Sequence, residues 1–235
     1  MIVPISRIEE KNMTIIPEPI WEKILLPLRW GFFIVIFLTA SLHPLEALRD
    51  PLTVSVIILV LIWRTYEHIS VGMKHYRFKK DPGKHTMVLP AVSLWVGCTF
   101  PIFDFYNLPQ ILPRTVWLRI LGIALIIAGI SIRYVSIRTL GKFFTAHLRV
   151  NEGRRLIKEG IYRRLRHPSY FGMIFSFAGL PLAFCSLYGL LYMILIGVPG
   201  ILFRINLEER FLVGEFGEEY VEYRKNSYKL IPFIY

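Results

Sequence analysis

The stretch "IYRRLRHPSYFGMIFSFAGL", from Ile161 to Leu180, joins a strongly basic segment to an apolar one. From Tyr170 onward no charged residue occurs until Arg204. As one helix this run would be about 50 Å long, which exceeds a hydrocarbon core of about 30 Å. Residues that favour a turn cluster near its middle, at Gly179, Pro181, Cys185, Ser186 and Gly189. The run therefore predicts a tight helical hairpin of two short membrane spans.

The bulk composition is that of an integral membrane protein. The 235 residues are 54% hydrophobic and 19% charged, with a mean hydropathy of +0.48, whereas soluble domains carry about 25% charged residues. The net charge of +11 comes from basic residues in loops between apolar runs. Membrane orientation explains this charge, so no nucleic-acid partner is expected. The scattered histidines predict no metal site.

Apolar stretches before the hairpin bring the predicted total to about six spans. They cover residues 24–42, 51–66, 87–105 and 116–137. We therefore predict an all-α, polytopic transmembrane protein with a C-terminal helical hairpin. We divide it into N-terminal transmembrane helices, residues 1–137, and a catalytic region, residues 138–235, that ends in a cytoplasmic cofactor-binding segment.

The distribution of basic residues predicts the orientation of these spans. Residues 64–87 hold six Lys or Arg and residues 138–166 hold nine, whereas residues 43–50 and 106–115 hold one each. Basic loops remain in the cytoplasm. The chain is thus predicted to be a multi-pass membrane protein with both termini cytoplasmic.

The predicted hairpin would bring two polar clusters together. It returns the chain to its starting side, so that Arg166–Tyr170 at the entry neighbours Arg204 and Glu208 at the exit. Arg204 and Glu208 are four residues apart and share a helix face. Each charge alone is typical of a helix-end anchor or cap. Together they indicate a functional site, because ionisable groups at membrane depth are costly.

Three motifs carry a family resemblance. They are "GIYRRLRHPSYFG" at residues 160–172, "RINLEER" at residues 204–210 and "FGEEYVEYRKNSYKLIPF" at residues 216–233. In this order they resemble the isoprenylcysteine carboxyl methyltransferase family. Its pattern is RHPxY, an apolar hairpin, a Glu-Glu pair, FGxxYxxY and a final proline. The resemblance covers residues 140–235.

The resemblance implies S-adenosylmethionine as methyl donor and carboxyl O-methylation of a lipid-modified, isoprenylcysteine-type acceptor that enters from membrane lipid. Carried over residue by residue, it implies a donor site of Arg154, Arg155, Leu156, Ile157, Tyr162, His167, Pro168, Ser169, Tyr170 and Glu208. It also implies that Arg204 binds the acceptor. As catalytic residues we predict Arg204 and Arg166, which would grip the acceptor carboxylate with their forked guanidinium groups.

The chemistry of these residue types fits methyl transfer. The Glu208 carboxylate can accept hydrogen bonds from hydroxyl or ammonium groups of the donor. The rings of Tyr162 and Tyr170 can attract its sulfonium cation. A carboxylate acceptor is already nucleophilic at neutral pH, so it requires in-line placement rather than a general base.

Three alternatives remain open from the sequence. Related branches of the same family methylate phospholipid amines or small thiols. The ending "KLIPFIY" also resembles membrane sterol and steroid reductases, which use NADPH. A transporter or scaffold would require charges deep in the spans, and the only candidates, Asp104 and Arg133, lie near span ends.

Overall fold

The computed structural model describes residues 42–72, 88–144 and 155–231. In these ranges the chain is helical, with one isolated β-bridge and no strand. The α-helices are α1 (Pro44–Arg49), α2 (Pro51–Gly72), α3 (Val88–Asn107), α4 (Val116–Leu140), α5 (Pro168–Ala183), α6 (Leu187–Tyr192), α7 (Val198–Phe216) and α8 (Glu218–Lys225). A π-helical segment, Met193–Gly197, joins α6 to α7. The predicted all-α class is confirmed for these residues.

Two helical stretches are long and apolar enough to cross a membrane. Among the described residues they are Val116–Leu140, which is α4, and Leu187–Phe216, which runs from α6 to the end of α7. The predicted spans at 51–66 and 87–105 coincide with α2 and α3. The predicted span at 24–42 lies outside the described residues except for its last residue. The total of six spans stays a prediction.

The predicted helical hairpin is confirmed. That both arms span a membrane stays a prediction, because among the described residues only the second arm is one of the stretches long and apolar enough to cross. The first arm of the hairpin, α5, ends at Ala183, and its second arm begins with α6 three residues after Phe184. Cys185, between the arms, has a φ of 47°, which turns the chain sharply. The Ser186 hydroxyl caps α6 by accepting a hydrogen bond from the Gly189 N–H at 2.8 Å. The turn-forming residues identified in the sequence thus mark the real turn.

Glycines allow α4 and α5 to pack backbone against backbone. A Cβ atom at Gly179 would lie 2.5 Å from the carbonyl oxygen of Gly122, and one at Gly172 would lie 2.5 Å from that of Gly129. Small residues at such positions let membrane helices approach closely. This contact fixes α5 against α4 and so determines where the motif at the start of α5 lies.

The two arms of the hairpin pack along an apolar seam. Its members come from α5, from the π-helical segment and from α7, and they include Tyr170, Phe171, Ile174, Phe177, Met193, Ile201 and Ile205. Because the arms are antiparallel, this seam holds the start of α5 beside the middle of α7.

A polar cluster fixes the opposite end of the bundle, next to the hairpin turn. Arg119 of α4 forms an ion pair with Asp50 and donates from Nε to the carbonyl of Ala183 at 3.0 Å. The Thr53 hydroxyl donates to Asp50 at 2.5 Å. Burial raises the pKa of Asp50, but the hydrogen bonds from Arg119 and Thr53 outweigh it, so the pKa lies below its ordinary value. The cluster ties α2, α4 and the turn together.

Candidate active site

The entry to the hairpin is held by a later segment of the chain. His167 precedes Pro168, whose fixed φ and missing N–H suit the first position of α5. The Tyr228 N–H donates to the carbonyl of Arg164 at 2.8 Å, and the Arg166 N–H donates to the carbonyl of Tyr228 at 2.9 Å. Residues 164–167 of the predicted motif therefore form a short strip that is paired on one side with Tyr228 and Lys229 before the helix begins.

The exit of the hairpin brings charged side chains of α7 to this strip. The Tyr170 hydroxyl donates to Glu208 Oε2 at 2.7 Å. Arg204 lies one turn before Glu208, is only 5% exposed and also reaches the Tyr170 hydroxyl. The prediction that the entry and exit clusters are neighbours is confirmed.

Glu209, the second glutamate of the pair, is surrounded by basic groups. Its carboxylate is 2.8 Å from Arg166 Nε, 3.8 Å from Lys229 Nζ and 3.9 Å from Arg224 Nε. His167 Nε2 lies 3.4 Å away without hydrogen-bond geometry. The Glu209 side chain is only 7% exposed, so it is a buried anion whose charge is balanced by cations from two segments of the chain.

Arg166 is bonded within the protein through Nε and Nη1. Besides Glu209, its guanidinium contacts the carbonyl oxygen of Arg224 at 3.0 Å and that of Ser227. The side chain is only 9% exposed. These bonds hold the C-terminal segment against the motif, and they occupy two of the three guanidinium nitrogens with which Arg166 was predicted to grip an acceptor.

The loop before the motif lies only partly at the site. Ile157 and Tyr162 are buried, and Leu156 packs on a buried cluster formed by α7 and α8. The Arg155 side chain is exposed and pairs with a glutamate four residues further on. Arg154 lies outside the described residues. Of the five loop residues predicted for the donor site, Leu156, Ile157 and Tyr162 thus pack on the rest of the protein. The Arg155 side chain is exposed to solvent.

Tyr162 connects the loop to α8, the helix that follows the Glu-Glu helix. Its carbonyl accepts a hydrogen bond from the Tyr223 hydroxyl at 2.6 Å. Burial, followed by the negative charge of Glu208, raises the pKa of the Tyr162 phenol well above its ordinary value. The phenol is therefore neutral at physiological pH and keeps its hydrogen-bond donor.

Sequence reasoning missed two residues that support the motif. Arg133 of α4 donates from Nη1 to the Ser169 hydroxyl at 2.6 Å and lies 5.5 Å from the ring centroid of Trp63. Its signal was a basic residue within an otherwise apolar stretch of helix, and in the sequence that residue was considered only as evidence for or against a transport path. The sequence showed Glu209 only as the second member of the Glu-Glu pair. Its contacts with Arg166, Arg224 and Lys229 depend on the fold and could not be predicted.

A comparison with protein families finds a match that covers the hairpin. Residues 117–219, which hold both hairpin arms and the Glu-Glu pair, match the model of the phospholipid methyltransferase family. The match includes the motif at the entry and the charged residues at the exit. It covers a little less than half of the chain.

Curated relatives point to one branch. The chain is 32% identical over 149 residues to the protein-S-isoprenylcysteine O-methyltransferase of Xenopus laevis, covering 62% of this chain and 50% of that protein. It is 31% identical over 120 residues to protein-S-isoprenylcysteine O-methyltransferase B of Arabidopsis thaliana, covering 50% of this chain and 61% of that one. The chain thus spans about half to three fifths of the length of these relatives.

The fold has a solved counterpart. The eukaryotic intramembrane Ras methyltransferase, an isoprenylcysteine carboxyl methyltransferase, matches with a TM-score of 0.56 and 19% identity, over 87% of this chain and 75% of that one. This match shows a shared fold. Together with the curated relatives, it confirms the resemblance to the isoprenylcysteine carboxyl methyltransferases.

Proposed function

We propose that the protein transfers a methyl group from S-adenosylmethionine to the carboxylate of an isoprenylcysteine-type, lipid-modified acceptor at the membrane–cytoplasm interface. The observation that carries the proposal is the meeting of the RHPSY motif with Arg204 and Glu208 across the hairpin. This arrangement combines an anion, a cation and aromatic hydroxyl groups next to the start of a helix.

The residues present fit the donor. Glu208 is half-buried and its carboxylate can accept hydrogen bonds from the ribose hydroxyls or the ammonium group. The start of α5 favours an anion such as the donor's carboxylate. His167 Nε2 is buried and has no hydrogen-bond partner among the described residues. We propose that Tyr162, the residues His167–Tyr170 and Glu208 hold the donor, together with the loop from Arg154 to Ile157.

The chain's contribution to the reaction is placement and electrostatics. When bound, S-adenosylmethionine supplies an electrophilic methyl group on a sulfonium sulfur. Arg204, buried and next to Tyr170, would hold the acceptor carboxylate by two N–H groups and aim one oxygen along the bond to that methyl group. Arg166 would act as a positioning residue, because its guanidinium is bonded to Glu209 and to the C-terminal segment.

The proposal includes a location for the site. Residues 138–235 would be the catalytic region and residues 1–137 the supporting membrane helices. The protein would be multi-pass, with the site and both termini cytoplasmic. The lipid chain of the acceptor would then lie in the bilayer while its carboxylate reaches Arg204.

Binding and turnover test the proposal separately. Saturable binding of S-adenosylmethionine and S-adenosylhomocysteine to the purified protein, weakened in Glu208→Gln, would support the donor site. Methylation of an N-acetylated S-farnesylcysteine, lost in Arg204→Ala, would support the acceptor. Absence of donor binding by a well-folded protein would refute the proposal.

A second candidate follows from the family match. The phospholipid methyltransferase model covers the motif, Arg204 and Glu208, so a phospholipid amine is the main rival acceptor. An amine is protonated at neutral pH and must lose a proton before it attacks, whereas a carboxylate need not. Methylation of phosphatidylethanolamine vesicles but not of farnesylcysteine would favour this candidate.

A further inference from the structure

Arg133 of α4 reaches the start of α5 because the two helices pack backbone against backbone at this level. A Cβ atom at Gly172 would lie 2.5 Å from the carbonyl oxygen of Gly129 and 3.2 Å from the Cβ of Arg133. The helices are antiparallel, so one turn further along α4 faces one turn nearer the start of α5. There Arg133 Nη1 donates a hydrogen bond to the Ser169 hydroxyl at 2.6 Å. The contact is therefore a product of the helix packing.

The Arg133 side chain is also held by α2. Its guanidinium carbon lies 5.5 Å from the ring centroid of Trp63, and the faces of aromatic rings attract cations. The Trp63 ring lies 5.6 Å from that of Tyr66, which lies 5.0 Å from that of Tyr134. An ionisable group within an apolar helix is costly and is usually functional. Arg133 is thus a cation whose position is fixed by α2 and α5 together.

The bond from Arg133 determines what the Ser169 hydroxyl can do. A serine hydroxyl has one hydrogen to donate and can accept two hydrogen bonds, whereas a guanidinium group only donates. Arg133 therefore uses an acceptor position of the hydroxyl and leaves its hydrogen for another group. Ser169 is only 8% exposed, and no described residue accepts that hydrogen. A buried hydroxyl of this kind requires an acceptor from outside the chain, such as a ligand atom or an ordered water.

We infer that Arg133 is a positioning residue for methyl transfer, which orients the Ser169 hydroxyl so that it donates its hydrogen bond to bound S-adenosylmethionine. The inference rests on the proposed function, in which Ser169 belongs to the donor site. It adds to that site a residue outside the three sequence motifs. Arg133 acts on donor affinity through Ser169, whereas a residue that only supports the fold would act whether or not the Ser169 hydroxyl is present.

A double-mutant cycle in the purified, detergent-solubilised protein tests this dependence. The Kd for S-adenosylhomocysteine is measured by calorimetric titration for the wild type, Arg133→Met, Ser169→Ala and the variant that carries both substitutions. Methionine keeps an unbranched side chain but cannot donate a hydrogen bond. We expect each single substitution to raise the Kd about tenfold. The Kd of the double variant should lie within about twofold of that of Ser169→Ala, because Arg133 then has no hydroxyl to orient.

Two further variants are matched controls. Arg138, on the same helix, also lies over an aromatic ring, that of Tyr134 at 5.8 Å, but it is exposed. Arg138→Met should therefore leave the Kd unchanged. Arg133→Lys keeps a cation that can donate to Ser169, so it should recover most of the affinity that Arg133→Met loses.

Two results would overturn the inference. An unchanged Kd in Ser169→Ala, with a wild type that binds, would mean that the hydroxyl faces a water rather than the donor, and this arm holds even where Arg133→Met does not fold. A tenfold rise in Kd when Arg133→Met is added to Ser169→Ala would mean that Arg133 acts through the fold. Either result leaves the proposed function standing if Glu208→Gln still weakens binding. Absence of binding by the wild type would refute both.

Discussion

Glu208 and Glu209 are adjacent on α7, yet their substitution by glutamine should have different effects. Glu209 is buried and lies 2.8 Å from Arg166 Nε, with Lys229 and Arg224 within 4 Å. Glutamine at this position keeps the shape of the side chain but removes its charge. The Arg166 guanidinium, itself only 9% exposed, would then be a buried cation without its anion.

The size of the effect follows from this burial. Removing one partner of a buried ion pair destabilises a protein by about 3–5 kcal/mol. In a chain of about this size, each kcal/mol lowers the Tm by about 2–4 °C. We therefore expect Glu209→Gln to lower the Tm by about 6–20 °C.

Glu208→Gln is the matched control. Glu208 is half-buried, and a glutamine oxygen could still accept the hydrogen bond of Tyr170, so the Tm should change by less than about 4 °C. Its affinity for S-adenosylhomocysteine should fall instead. Thermal unfolding of the two purified variants and of the wild type, followed by calorimetric titration, separates these outcomes. Equal Tm values for Glu208→Gln and Glu209→Gln would refute the structural role of Glu209.

Further substitutions test other parts of the molecule. Asp50→Asn should lower the Tm at pH 7. The pKa of Asp50 is below its ordinary 3.8. The difference in Tm between the variant and the wild type should therefore persist above pH 3.8 and disappear as the pH falls through the lowered pKa. A difference in Tm that does not change with pH would contradict this. Gly179→Ala should destabilise by about 1–3 kcal/mol, because its Cβ would lie 2.5 Å from the Gly122 carbonyl oxygen. Gly200→Ala, with no atom within 4 Å of the added carbon, should be neutral or stabilising in the same unfolding assay. Arg204→Lys should reduce methylation of farnesylcysteine at least about tenfold, because the two-pronged grip is lost, with donor affinity retained in titration; equal turnover would remove Arg204 from the acceptor site.

The hairpin could be predicted because its signals are local. An uncharged run too long for one span required a turn, and a cluster of turn-forming residues that includes Cys185, Ser186 and Gly189 marked the place. Once the arms were known to be antiparallel, the return of the chain to its starting side predicted that the entry and exit clusters meet, and Tyr170 does contact Glu208. The exact pair could not be read from residue counts, because Tyr170 lies 15 residues before Cys185 and Glu208 lies 23 residues after it. Local sequence thus predicted which two segments of the chain meet at the site.

The partners of individual charges could not be predicted in this way. Arg119 and Asp50 are 69 residues apart, and no periodicity links them. Which of the two glutamates faces the basic groups depends on how α7 is rotated about its axis. The preceding π-helical segment changes this rotation, because a π-helix has more residues per turn than an α-helix. A regular helical repeat extended through the second arm therefore could not show which glutamate faces the cations.

The pairing of the motif with Tyr228 has a consequence for biogenesis. Arg166 and its partner Ser227 are separated by 61 residues, and the whole hairpin is made between them. During synthesis, both arms are made before the strip beside His167 can acquire its backbone partners, Tyr228 and Lys229. A chain interrupted after the hairpin would contain both arms yet have an unfinished motif. Assembly of the polar centre is therefore tied to the order of synthesis, because it requires a segment that is made after the hairpin.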